Sequence, residues 1–324
     1  MIHRLLGRLS LTLLLLTSVG HAKTYKLGTM VPDGTKYSSL LKEMAKKIKK
    51  ETDRKVKLKF IWGGIAGDER DVVNKIRVGQ FHGGLFTAKT LGEIFGDVRI
   101  MEVPFSFKDR AHSQKVLAEF SDHFSNGLEK NGFKNLGIYE TGEIYMVSKN
   151  KVTSVKDLKN QKLWLYTGDT LAEAFIKAMG LVAVPLALPD VLSSLSTGLI
   201  DTAYAPAIGI VALQWQSKIG YLAEPPFGYH FQGLLLSDKA WKKIKPEHQK
   251  IVSQITAEYQ KKISDVNFSE AKAAYDAIKK QGVKLISWPE SDLSQLKVIR
   301  GKVIEELEGK HLSKEIIQKF KEKL

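Results

Sequence analysis

Short apolar runs and amphipathic segments alternate along the first hundred residues. Apolar and alternating runs predict strands at 25–30, 56–61 and 81–86. Apolar residues at helical spacing predict helices at 37–51 and 69–78. Because strands alternate with helices, the pattern predicts an α/β layer structure with a mixed or parallel sheet.

The same succession of elements occurs twice. Residues 74–84 end a predicted helix at Gly79 and enter a strand, and residues 193–203 do the same at Gly198. Glycine is a frequent residue just after the end of a helix, since it adopts left-handed backbone angles without a steric penalty. One copy in each half of the chain indicates two domains built to the same plan.

The longest periodic segment is residues 246–281. Pro246 suits the first turn of a helix and Gly282 follows its end. At 1.5 Å per residue this helix would extend roughly 50 Å, which exceeds the width of one domain. It is therefore predicted to be a spine that spans both domains, and residues 290–324 are predicted to form further, highly charged helices.

The first 22 residues have the pattern of a secretory signal. Arg4 and Arg8 give a basic start, residues 9–16 are almost all apolar, and residues 20–22 provide small side chains for cleavage. The apolar run is shorter than the roughly 20 residues that span a bilayer. The sequence therefore predicts a cleaved signal peptide at 1–22 and a soluble periplasmic protein; an uncleaved membrane anchor is the alternative.

Cysteine content and charge limit the remaining possibilities. The chain has no cysteine, which excludes disulfides, thiolate metal sites and a lipid-modified anchor. Its net charge of +15 falls to about +13 when the signal is removed, and such a charge attracts nucleic acids, anionic lipids or acidic ligands. The lysines are scattered over predicted helix faces, which favours a solvated surface, and a secreted protein is not expected to bind nucleic acid.

Five segments in the correct order resemble the DctP-type solute-binding proteins, the receptors of tripartite ATP-independent periplasmic (TRAP) transporters. They are a glycine-rich stretch, a proline-phenylalanine motif, the approach to a binding strand, a return crossover and the start of the spine helix, at 63–70, 102–109, 152–164, 228–230 and 241–247. On these motifs the chain is identified as a member of the family. The resemblance implies a two-lobed clamshell with mixed sheets, a ligand between the lobes and delivery to TRAP membrane permease subunits.

The resemblance also implies the limits of the lobes. The first lobe is expected to contain residues 23–147 and about 230–250. The second is expected to contain residues 148–229 and about 280–324. The helix at 246–281 would bridge the two lobes.

Two departures from the family pattern carry the ligand prediction. Trp164 stands where the family usually has an arginine that binds the ligand's carboxylate, and Ala205 stands where an asparagine is usual. Only Lys162 or Lys177 could substitute locally, and lysine lacks the bidentate geometry of arginine. A carboxylate enclosed without such a partner loses several kcal/mol of solvation, whereas each buried CH₂ group contributes about 0.8 kcal/mol. An apolar pocket is therefore expected.

The expected ligand is hydrophobic or amphiphilic, as in the branch of the family that works with a periplasmic TPR-repeat protein. Two alternatives stay open: a receptor for a conventional organic acid with a different cationic anchor, and a periplasmic ligand sensor or lipid carrier. Ala205 and a set of aromatic side chains are predicted to line the cleft, those of the second lobe being Trp164, Tyr166, Tyr204, Trp215, Phe227 and Tyr229, and those of the first lobe Trp62, Phe86 and Phe105.

An enzyme is the main competing class, and it is not favoured. Residues 82–84 are similar to an esterase oxyanion loop, but no G-x-S-x-G motif accompanies them. The histidines form no H-E-x-x-H motif or close ligand pair, so neither a metal nor another cofactor is expected. Glu140 and Glu143 are expected to flank a hinge strand, and Asp169 to lie near the start of a helix.

Overall fold

The computed structural model describes residues 23–324. The predicted signal peptide lies outside the described residues. Within residues 23–324, no helix is long and apolar enough to cross a membrane. The elements of the first half are β1 (Lys23–Thr29), α1 (Lys36–Glu51), β2 (Val56–Ile61), α2 (Glu69–Arg77), β3 (Gly83–Thr87), α3 (Ala88–Ile94), a 3₁₀ segment (Gly96–Glu102), α4 (Arg110–Lys130) and β4 (Phe133–Ser148).

The second half begins after β4 and ends in two helices. Its elements are β5 (Leu163–Tyr166), α5 (Thr170–Ala178), β6 (Ala183–Leu186), α6 (Val191–Thr197), β7 (Thr202–Pro206), α7 (Ala207–Ala212), β8 (Tyr221–Glu224), β9 (Gly228–Ser237), α8 (Asp238–Trp241), α9 (Pro246–Lys280), β10 (Lys284–Ser287), α10 (Glu290–Leu307) and α11 (Lys314–Lys321).

The two lobes have the same strand order. In the first lobe the order is β2-β1-β3-β9, and in the second it is β6-β5-β7-β4. The first three strands of each set are parallel, and the fourth is antiparallel to them. The predicted mixed sheets and common plan are confirmed. Gly79 and Gly198, which follow α2 and α6, have φ values of 81° and 77°, so both adopt the left-handed conformation expected after a helix.

Strands β4 and β9 each cross from one lobe to the other and together form the hinge. Strand β4 follows the first lobe in sequence but pairs with β7, and β9 follows the second lobe but pairs with β3. Their mutual ladder has register shifts near Gly137 and Gly142. Gly142 has a φ of 128°, and a Cβ atom there would lie 2.7 Å from the side chain of Ala271 on α9. A glycine is therefore needed where β4 passes under the spine helix.

The predicted spine helix is confirmed as α9. Its N-terminal half contributes Val252, Ile255 and Tyr259 to the core of the first lobe, against α1 and β1. Its C-terminal half contributes Ala274 and Ile278 to the core of the second lobe, against β7 and α7. Because one continuous helix packs into both cores, it links the lobes along their shared side.

The chain's tail divides between the lobes, which differs from the predicted limits. Helix α10 packs against α5 of the second lobe. Helix α11 instead packs against the 3₁₀ segment of the first lobe, where the backbone N–H of Ser313 donates to Asp97 Oδ1 at 2.6 Å. The assignment of all of 280–324 to the second lobe is therefore corrected at α11, because its apolar face, Ile316, Ile317 and Phe320, is buried in a cluster shared with α4.

Candidate ligand-binding site

A cavity of about 310 Å³ lies between the lobes. Four of its lining residues, Met30, Thr87, Tyr166 and Pro206, stand at or just after the carboxyl ends of β1, β3, β5 and β7. Ligands of α/β sheets bind at the carboxyl ends of the parallel strands, because the following loops converge there. Strand order in both lobes therefore directs these ends toward one site.

Most of the cavity wall is apolar. One group of residues lies at the end of β7 and along α7, and it includes Ala205, Gly209, Ala212 and Leu213. A second group comes from the side of β5 that faces α5 and α10, where the cavity reaches into the second lobe; it comprises Met146, Leu158, Leu163, Phe175, Ile176, Met179, Trp288 and Leu296. The wall is suited to an apolar ligand body.

Trp164 is at the centre of the aromatic part of this wall. Its side chain is 2% exposed. The indole N–H donates to the backbone oxygen of Leu186 at 3.0 Å, so the single donor of this side chain is already used within the chain. Its ring is 5.7 Å from that of Tyr166 and 5.1 Å from that of Tyr204, measured between centroids. Trp164 therefore offers a ligand its ring surface and no hydrogen-bond donor.

One end of the cavity is polar and contains a buried arginine. Arg99, from the 3₁₀ segment of the first lobe, donates through Nη1 to Glu102 Oε2 at 2.7 Å. Through Nη2 it donates to Asp169 Oδ1 of the second lobe at 2.6 Å. The side chains of Arg99 and Asp169 are only 9% and 8% exposed. The guanidinium charge is thus balanced by carboxylates of the chain itself.

Burial shifts the acid–base behaviour of this end. Burial raises the pKa of Glu102 to about 7, although the neighbouring Arg99 and the N–H of Phe231 oppose the shift. Burial, together with the charge of Arg99, lowers the pKa of His230 to about 4, so this imidazole is neutral at neutral pH. His230 Nδ1 lies 2.6 Å from the Thr141 hydroxyl. The polar end therefore presents hydrogen-bonding groups around an internally compensated cation.

Two further contacts between the lobes involve the cavity-lining residues Lys89 and Tyr166. Lys89 of the first lobe is buried, with its Nζ 4.6 Å from the ring centroid of Tyr166 in the second lobe. Lys89 Nζ also lies 2.9 Å from Glu93 Oε1. The Tyr166 hydroxyl donates to Asp68 Oδ1 at 3.4 Å. With Arg99 and Asp169, these contacts join the lobes around the cavity.

The structure brings six of the predicted site residues together in the cavity wall: Trp164, Tyr166, Tyr204, Ala205, Phe105 and Phe227. Four predicted residues lie elsewhere. Trp215 is fully buried behind Trp164, with ring centroids 5.5 Å apart. Trp62 stacks on Phe60 at 4.9 Å, at the edge of the first lobe's core.

Phe86 and Tyr229 are absent from the wall because side chains alternate along a strand. Phe86 and Tyr229 point into the core beneath the cavity. Their neighbours Thr87 and His230 line the cavity instead. A strand exposes successive side chains on opposite faces, so a shift of one residue exchanges core for site.

The cationic side chains of the cavity wall are not the lysines that the sequence suggested. Lys162 is exposed and donates to the oxygen of Gly198 at 2.9 Å, and Lys177 is 77% exposed beside Glu306. Neither lines the cavity; Arg99 and Lys89 of the first lobe do. The sequence signal for Arg99 is its position among Val98, Ile100 and Met101, a run in which a charged side chain is buried only with partners.

Asp169 and Glu140, two acidic side chains that the sequence singles out, have structural partners in the described part of the chain. Asp169 is the N-cap of α5, as predicted, and accepts the N–H of Ala172 at 3.0 Å. Glu140 is held by Arg110 Nε at 2.9 Å near the hinge. Within residues 23–324, no group of three His, Asp or Glu side chains is arranged to hold a metal ion.

Comparisons with known proteins agree with the two-lobed fold. The chain is 21% identical to a TRAP periplasmic solute binding protein from Desulfovibrio salexigens with bound orotic acid; the match covers 93% of this chain and 98% of that one, with a TM-score of 0.86. A TRAP periplasmic solute binding protein from Haemophilus influenzae with bound L-gulonate matches at 24% identity, 93% and 99% coverage and a TM-score of 0.86.

A curated relative leads to the same group of proteins. The 2,3-diketo-L-gulonate-binding periplasmic protein YiaO of Escherichia coli is 24% identical over 261 residues, which are 78% of this chain and 75% of that protein. The family model for bacterial extracellular solute-binding protein, family 7 (DctP), matches residues 27–310. With this match over most of its length, the chain belongs to the DctP family of extracellular solute-binding proteins.

Proposed function

We propose that this protein is the periplasmic receptor of a TRAP-type permease for an amphiphilic small molecule. The apolar body of the ligand would lie on the wall around Trp164, and a hydrogen-bonding end group would lie near Arg99. The observation that carries this proposal is the apolar wall, in which Trp164 contributes a ring and no free donor. Each ligand CH₂ group buried there contributes about 0.8 kcal/mol to binding.

The ligands of the relatives favour a second candidate. Orotic acid, L-gulonate and 2,3-diketo-L-gulonate are the molecules named for the three proteins compared above. They support the alternative prediction of an organic-acid receptor with a different cationic anchor better than they support a hydrophobic ligand. In this chain Arg99 and Lys89 would be the anchors, since both are buried cations of the cavity wall.

Local electrostatics distinguish the two candidates. Arg99 contacts two carboxylates, and Lys89 contacts Glu93. A ligand carboxylate would add another negative charge to this group, whereas a hydroxyl or amide end would add none. The geometry therefore supports the amphiphilic ligand, and the receptor role without catalysis follows from the family. A TPR-repeat partner and the sensor or lipid-carrier alternative remain predictions.

Two measurements test the proposal. Mass spectrometry of small molecules extracted from the purified protein, against a denatured and refolded control, would identify a retained ligand. Calorimetry on the refolded protein would then compare decan-1-ol with L-gulonate. Binding of decan-1-ol and an apolar extracted compound are the expected results. Tight L-gulonate binding without decan-1-ol binding would replace the amphiphilic ligand by the acid.

A matched pair of variants ties binding to this cavity. Gly209 on α7 lines the cavity, and a Cβ atom there would meet only Ala205 and Pro206 at 3.9 Å, so Gly209→Leu extends a side chain into the space. Gly301 on α10 has no atom within 4 Å of its added Cβ and does not line the cavity. Gly209→Leu is expected to lower decan-1-ol affinity at least tenfold, and Gly301→Leu to leave it unchanged.

A further inference from the structure

The pair of Arg99 and Asp169 connects the lobes across the polar end of the cavity. Arg99 comes from the first lobe, between α3 and α4, and Asp169 comes from the turn between β5 and α5 in the second. Glu102, the other partner of Arg99, is only three residues away in the same lobe. Opening of the cleft would therefore separate Asp169 from Arg99 and leave Glu102 in place.

The chain around both side chains is adapted to this contact. A Cβ atom on Gly92 would lie 2.3 Å from Arg99 Cγ, so the stem of Arg99 passes through space that only glycine leaves free. Asp169 Oδ1 accepts from both Arg99 Nη2 and the N–H of Ala172. The carboxylate is thus held by the first turn of α5 and directed toward the first lobe.

A carboxylate that contacts a buried arginine is the same chemical group that an acidic ligand would bring to it. We propose that Asp169 is a specificity-determining residue that supplies this carboxylate from within the chain. The cleft then closes on an uncharged amphiphile, and an acidic one is rejected because Arg99 is already engaged. This inference rests on the proposed receptor function and specifies the ligand as one with an uncharged end group.

The test measures selectivity between two probes that differ only at the end group, decan-1-ol and decanoate, at pH 8. Asp169→Asn removes the charge and keeps an N-cap residue, since asparagine caps helices about as well as aspartate. The native protein is expected to bind decan-1-ol at least tenfold more tightly than decanoate. In Asp169→Asn, the ratio of decanoate affinity to decan-1-ol affinity is expected to rise at least tenfold.

Asp190→Asn is the matched control. Asp190 is an exposed residue of the second lobe that precedes α6 and makes no side-chain cap bond. Its replacement removes the same charge from the same lobe, and selectivity is expected to stay at the native value. An equal rise in decanoate affinity in both variants would mean that net charge decides selectivity, which would overturn the role of Asp169.

The outcomes separate this inference from the proposed function. If decan-1-ol binds the native protein but Asp169→Asn leaves the ratio of affinities unchanged, the inference is wrong and the receptor function stands. If the native protein prefers decanoate to decan-1-ol, the inference is wrong and the amphiphile receptor stands; if it binds L-gulonate and neither ten-carbon probe, both are wrong. Asp169→Ser, which also caps α5, serves if the asparagine variant does not fold. Failure of both to fold would assign Asp169 to stability and overturn the inference.

Discussion

Replacement of Trp164 by leucine tests whether its ring forms part of the ligand wall. The ring is buried among Tyr166, Tyr204 and Trp215, so its loss should lower the free energy of unfolding by about 2–4 kcal/mol. Leucine would leave part of the wall empty. The small part of the ring that reaches the cavity would contact about one ligand CH₂ group, worth about 0.8 kcal/mol, so its loss weakens binding by roughly fourfold.

Trp215→Leu provides the control for this substitution. Trp215 is fully buried in the same cluster and does not line the cavity. Its replacement should lower the free energy of unfolding by a similar amount, because a similar volume is removed from the same core. Decan-1-ol affinity should fall less than in Trp164→Leu, because Trp215 lies behind Trp164 and does not line the cavity.

Urea unfolding and calorimetry with decan-1-ol measure the two effects separately. Selective loss of affinity in Trp164→Leu, at equal loss of stability, would support the placement of Trp164 against the ligand. Equal loss of affinity in both variants would show that the ligand responds to the stability of the second lobe in general. Unchanged affinity in Trp164→Leu would remove Trp164 from the site.

Three further predictions concern the two ends of the cavity. Trp164→Arg should weaken decan-1-ol binding and produce weak decanoate binding, since it places a cation in the apolar wall; calorimetry with both probes would show an unchanged preference if this is wrong. Burial raises the pKa of Glu102 to about 7, above its value of about 4.3 in the unfolded chain. The contribution of Glu102 to the free energy of unfolding is therefore fully present below about pH 4.3 and is lost as the pH rises through 7. Urea unfolding at pH 5 and pH 8 should show a smaller pH effect in Glu102→Gln than in the native protein; an equal effect would contradict the assignment. Gly92→Ala should displace the stem of Arg99, lower the free energy of unfolding by about 1–3 kcal/mol and weaken decan-1-ol binding; native affinity at full stability would show that the stem has room to move.

The fold was predictable because its signals are local. The apolar periodicity predicts α1, β2 and α9 close to their observed limits, since burial of one face of each element sets that periodicity. The two glycine-terminated helices indicate that the lobes share one plan, and the strand orders confirm it. The position of α11 was not predictable, because its amphipathic pattern gives a buried face without the identity of the surface that buries it.

The site was predictable only in part. Trp164 and Tyr204 lie on different strands whose order follows from the family's fold, and both line the cavity. Phe86 and Tyr229 were misplaced because the choice between the faces of a strand depends on exact register. Arg99 and Asp169 are 70 residues apart, and nothing local in the sequence relates them. Their pairing follows from closure of the two lobes.

Contacts between the lobes give the closed cleft little net stability when no ligand is bound. Removal of water from Arg99 and Asp169 offsets much of their mutual attraction, as for other buried ion pairs, so this pair alone gives little net stability to the closed form. A permease distinguishes loaded from empty receptor only if the ligand binds the closed form much more tightly than the open one. Conversion of a 1:99 mixture to 99:1 needs about 5.5 kcal/mol of such preference. Burial of roughly seven CH₂ groups at about 0.8 kcal/mol each provides this amount, so an apolar body of that size is sufficient to drive closure.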